Sequence, residues 1–228
     1  MRYGSSSNAS FAFAFAQARG EHFMWMAHDD SYPASYVGDL AACIATDPEA
    51  VLAFGEVEQV SLDGFLPAFP FVSPPVAADE DWSINAAVRC LTLWQLWIAF
   101  RGLFRRRVVE RSGLYIRPTR GNVRADIYWV FALSLAGALR FVPSCRMTKR
   151  FRGSGGAGWR FGIRQSLDAC RVLGSYLDDF ARSPREARRA KRIVYPWCLV
   201  QGFLPERWAR GRAIATRRIL LPSATRGA

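Results

Sequence analysis

Glu21-His22-Phe23-Met24-Trp25-Met26-Ala27-His28-Asp29-Asp30 is the stretch on which the fold turns. An apolar run of strand length ends there in two adjacent carboxylates. Tyr32-Pro33 then breaks the strand, and a helical pattern begins. In an α/β sheet, chemistry sits just past the carboxyl ends of strands, where loops and helix N-termini converge. Two carboxylates at such a point suit a hard divalent cation, Mn2+ or Mg2+, that grips the phosphates of a nucleotide-linked substrate. As plain local chemistry, the reading these residues favour on their own is an acidic turn at the strand end that caps the next helix.

Working outward, Phe11-Ala12-Phe13-Ala14-Phe15-Ala16 alternates with period two, yet alanine is a strong helix former and Ser7 or Asn8 can cap a start; a helix is expected. Downstream of the carboxylates, Tyr36, Val37, Leu40, Ala41 and Ile44 recur at helical spacing over 34–45. A strand is expected over 51–60 and a turn at Asp63-Gly64. Residues 65–81 carry four prolines and read as an irregular loop. A helix capped by Asp81 or Ser83, a strand over 96–104, a helix over 124–138 and a short strand at 140–143 follow. Gly153-Ser154-Gly155-Gly156-Ala157-Gly158 reads as a linker. Beyond it, Leu167, Cys170, Leu173, Leu177 and Phe180 mark an amphipathic helix, and Ser183-Pro184-Arg185-Glu186 starts another.

The charge is divided. Residues 1–100 hold three basic and twelve acidic side chains, or −9; residues 101–228 hold twenty-eight and seven, or +21. The split points the second half at an anion: phospholipid, lipid-linked phosphate, nucleotide or nucleic acid. Nucleic acid is the weaker choice, since no binding motif accompanies the charge. Five scattered cysteines without C-x-x-C spacing argue against a disulfide framework or zinc site and for a reducing compartment, the cytoplasm. No apolar run reaches the ~20 residues of a spanning helix. The basic, aromatic stretch from Trp159 onward suits an anionic membrane face, here the inner face of the cytoplasmic membrane. A packed helical unit with an Arg-rich outside accounts for it equally.

Ala16-Gln17-Ala18-Arg19-Gly20-Glu21, the strand ending in His28-Asp29-Asp30, and the later Asp47–Phe54 and Leu62-Asp63-Gly64 segments resemble the family-2 glycosyltransferases of GT-A fold. Gly102-Leu103-Phe104-Arg105-Arg106 with Ser112-Gly113-Leu114 resembles the family's acceptor-side segment. Arg124-Ala125-Asp126-Ile127, with Gly137 and Val142-Pro143, resembles its general-base segment. The resemblance implies inverting transfer of a sugar from a UDP- or GDP-linked donor to a lipid-linked or polysaccharide acceptor. It implies Asp29 and Asp30 as metal ligands, Asp126 as general base, and Asn8, Asp30, Arg150 and Arg152 as contacts to the nucleotide. Ala27 and Ala125 stand where the family often carries acids, and Arg152 stands where it often carries His.

The resemblance covers residues 8–152. It lacks the family's first β-α-β-α-β unit, which binds the base, and so implies a longer parent, a second chain completing the sheet, or a remnant inactive alone. The expected architecture is a partial, Rossmann-like GT-A mixed sheet flanked by helices over 1–152, followed by a basic helical tail over 153–228. The rival from another class is a non-catalytic module that binds a membrane or other polyanion through residues 101–228.

Overall fold

The structure is a computed structural model that describes residues 7–62, 83–92, 96–122, 124–151 and 162–203. The expected loop at 65–81 and linker at 153–158 lie outside the described residues. The elements run α1 (Ser7–Gln17), β1 (His22–Met24), α2 (Tyr36–Thr46), β2 (Ala50–Ser61), α3 (Ile84–Thr92), α4 (Leu96–Ala99), β3 (Leu103–Arg105) and α5 (Arg106–Ser112). A 3-10 turn (Arg120–Asn122), α6 (Ala125–Ala136), β4 (Ala138–Phe151), α7 (Ile163–Phe180) and α8 (Pro184–Phe203) complete it. The result is a mixed α/β fold, a partial Rossmann-like sheet of GT-A type flanked by helices.

The sheet order is β1-β3-β2-β4, with β3 antiparallel to β1 and β2, and β2 parallel to β4. Ala50 to Gly55 are buried without interruption, the mark of a strand covered on both faces. Both α2 and α6 pack on β2 and β4. Helices α7 and α8 pack on each other, α7 against α6 and α8 against α3. Their Leu173, Tyr176, Val194 and Cys198 join the same hydrophobic cluster as the sheet.

Most expected helices form where their spacing placed them. Ser83 Oγ accepts from the Ala86 amide at 3.3 Å and Ser183 Oγ from the Glu186 amide at 3.2 Å, so both serines cap as their positions predict. The expected strand over 96–104 is different. Its first part is α4, Arg101 and Gly102 donate back to Ile98 and Ala99, and only Leu103–Arg105 pair in the sheet. A side chain at Gly102 would put Cβ 2.4 Å from the Ala53 carbonyl oxygen, so the chain can turn against β2 only with glycine here. The expected strand at 21–28 pairs only at His22–Met24. The strand expected at 140–143 extends to Phe151, shifting register against β2 between Gly55 and Glu56.

That shift depends on a close approach. A Cβ at Gly55 would stand 2.0 Å from the Cys145 carbonyl oxygen, whereas Gly38 in α2 has open space. Gly55→Ala should cost on the order of 1–3 kcal/mol or more by overpacking. Gly38→Ala should gain about 0.5–1 kcal/mol by helix propensity. Urea denaturation midpoints moving in opposite directions for the two variants would bear this out.

Candidate active site

The end of β1 is held from beneath by aromatic rings. Trp25 is buried, lies parallel to Phe100 at 5.8 Å between centroids, and meets Phe11, Phe23 and Trp129 edge-on. The chain then leaves the core. The Asp30 amide donates to the Ala27 carbonyl at 3.4 Å, closing a turn over His28 and Asp29. Ser31 exchanges two backbone hydrogen bonds with Thr148 of β4, at 2.8 and 2.9 Å. Sequence-distant β4 is thereby pinned beside the two carboxylates.

Asp29 and Asp30 then part company. Asp29 is exposed. The Asp30 side chain is fully buried, 3.4 Å from Arg101 Nε and 3.7 Å from Lys149 Nζ, and neither of its oxygens accepts a hydrogen bond. Tyr32, next to it, is held above its ordinary phenol pKa by burial and by the Asp30 charge. The Arg101 charge also acts on the second candidate. Asp126 is half-buried in the first turn of α6, where its Oδ1 accepts from the Ile127 amide at 2.9 Å. Burial pushes its carboxyl up; the Ile127 amide and the Arg101 guanidinium pull it partly back. Arg101 thus pairs with Asp30 and acts on Asp126 through its longer-range charge.

The remaining expected residues scatter. Asn8 lies in the first turn of α1. Arg150 is exposed on β4, while its neighbour Lys149 is half-buried and reaches Asp30, as alternation along a strand requires. Arg152 lies outside the described residues. Arg101, Lys149 and Tyr32 were not singled out by sequence reasoning, and no local pattern marks them.

Among the described residues, no group of three or more His, Cys, Asp or Glu side chains gathers as a cation site. The donor set is smaller: an exposed carboxylate and a buried one with two unbonded oxygens. Asp29 is the member of the pair open to solvent, whereas Asp30 is enclosed beside Arg101 and Lys149; an Mg2+-like ion, which takes one or two carboxylates with phosphate and water, would meet Asp29 first.

No protein-family model matches the sequence, and no curated protein matches it. Among solved structures, the crystal structure of residues 1–349 of TarS from S. aureus, a glycosyltransferase, superposes with a TM-score of 0.53 at 14% identity. The superposition covers 87% of this chain and 52% of that one, so the chain spans about half the length of the structure it matches. The likeness is one of fold: the chain has a glycosyltransferase-like fold.

A carboxyl whose folded pKa is raised binds its proton more tightly in the native state, so its ionisation opposes folding. That cost is absent at low pH and grows as pH climbs above the ordinary Asp value of ~3.9. Asp126→Asn should therefore match wild type in thermal stability near the bottom of that window and exceed it at neutral pH. A stability gap independent of pH would show that the Asp126 carboxyl is not raised.

Proposed function

We propose that the protein binds a UDP- or GDP-linked sugar over the end of β1 and transfers the sugar with inversion. Asp126 acts as general base and Asp29 with Asp30 hold the divalent cation. The observation that supports this most is that Arg101 is ion-paired to Asp30 while its charge also acts on Asp126, two carboxylates from distant parts of the chain. A bound Mg2+ or Mn2+ would offset the negative charge that builds on the departing diphosphate. Arg101 and Lys149, both partly exposed beside Asp30, add fixed positive charge for the same phosphates.

Asp126 suits the base role in kind. A base is most effective when its pKa approaches the working pH, and burial shifts Asp126 in that direction. It takes the proton of the acceptor hydroxyl as that oxygen attacks the anomeric carbon, and the nucleoside diphosphate leaves from the opposite face. Transfer is a proposal for the chain as part of a longer assembly as much as for the chain alone. The acceptor class proposed is a lipid-linked or polysaccharide hydroxyl.

Calorimetric titration of UDP- and GDP-sugars, with and without Mn2+, tests the donor site. Wild type should bind more tightly with metal, and Asp29→Asn and Asp30→Asn should lose that metal dependence. Asp126→Asn should keep donor binding while donor turnover falls by about 10²–10⁴. Metal-independent binding that is equal in wild type and both carboxylate variants would overturn the reading.

A further inference from the structure

We propose that a second site, separate from the carboxylate cluster, binds phosphate groups between the 3-10 turn and the start of α7. A pocket of about 480 Å³ opens there, lined by Pro118, Thr119, Arg120, Arg164, Asp168 and Arg171 together with Leu167. It gathers three arginines around one carboxylate. That carboxylate is already engaged. Asp168 Oδ2 accepts from the Arg120 backbone amide at 2.6 Å, and Oδ1 accepts from Arg171 Nε and Nη2 at 3.1 and 2.9 Å. Arg171 also donates to the Pro118 carbonyl at 3.4 Å. The network fixes the backbone of the 3-10 turn against α7 and uses up Arg171 in doing so.

Arg120 and Arg164 differ from it. Both are exposed, and neither side chain forms an ion pair among the described residues. With Arg171 they make three guanidinium groups against one carboxylate among the described lining residues of this open pocket, a net charge of about +2, and that carboxylate is already engaged by the Arg120 amide and Arg171. Guanidinium presents a planar fork of donors that matches phosphate oxygens, and such charge-assisted bonds are the strong ones. Phosphate is the anion this arrangement suits, either free in solution or on a lipid headgroup. The inference does not depend on the transferase reading.

The test is calorimetric titration of the full chain with inorganic phosphate at low ionic strength. Wild type should bind one phosphate saturably at this pocket. Arg120→Gln/Arg164→Gln should weaken it by about tenfold or more, as the loss of charged hydrogen bonds requires. Arg188→Gln/Arg189→Gln removes the same charge from the exposed face of α8 and should leave affinity within about twofold, the effect of distant screened charge. Both doubles alter exposed side chains, and equal melting temperatures would confirm that they fold. Co-sedimentation with vesicles of phosphatidylglycerol in phosphatidylcholine separates the sources. Loss of vesicle binding in Arg120→Gln/Arg164→Gln alone assigns the site to a headgroup, and unchanged vesicle binding assigns it to soluble phosphate. Absence of saturable phosphate binding, or equal weakening in the two doubles, would overturn the proposal.

Discussion

The Arg105 guanidinium is the constraint on which the rest of the structure depends. It is buried, and it donates to the carbonyls of Ala50 at 2.8 Å, Ile44 at 2.6 Å and Asp47 at 3.2 Å. A buried charge is costly unless its donors are met, and here carbonyls at the end of α2 and in the turn into β2 meet them. In return the carbonyls of Ile44 and Asp47, each already accepting one backbone amide, gain a second donor. One side chain on a three-residue strand therefore sets where α2 stops and where β2 begins. Because β3 lies between β1 and β2, it also sets the height at which β1 delivers its carboxylates.

The arginines around it divide the work. Arg101 reaches forward to Asp30. Arg106 reaches back to the Gly20 carbonyl at 2.7 Å and the Ala18 carbonyl at 3.1 Å, fixing the turn that leads into β1. The same logic extends across the molecule. Acidic groups of the first half meet basic groups of the second: Asp30 with Arg101 and Lys149, Asp47 with Arg140, and Glu56 with Arg146. Part of the opposite charge of the two halves is thus self-recognition. Partly exposed pairs add little stability each, ~0–1 kcal/mol, but like charges at these places would work against the pairing of β2 with β4.

The candidate site holds two carboxyl groups in surroundings that folding alone does not favour. Asp30 is buried with both oxygens unbonded, and the ionised form of Asp126 is disfavoured by its surroundings. A core built for stability alone would bond or replace such groups. Under the proposed function these groups, beside partly exposed cations, are held for phosphate and an acceptor hydroxyl at a cost that folding alone would not choose. The fold around them is glycosyltransferase-like, and the aromatic packing of Trp25, Phe100 and Trp129 gives the strand end a rigid base.

The sequence by itself determined the elements whose signals are local. Helical spacing marked α2 and α7, Ser83 and Ser183 marked the caps of α3 and α8, and the apolar run from His22 marked β1, although its pairing stops at Met24, short of Asp29-Asp30. It also showed, through resemblance, the kind of sheet these elements build. Only the tertiary structure decided that Leu96–Ala99 coils instead of pairing, because that turns on the room at Gly102 beneath the Ala53 carbonyl. Only it decided that Lys149 faces Asp30 while Arg150 does not, and that Arg105 and Arg106 brace the fold. Each outcome rests on groups distant in the chain meeting in space. The electrostatic and steric terms that select them vanish until the sheet has formed, so no local pattern of residues could carry their signature.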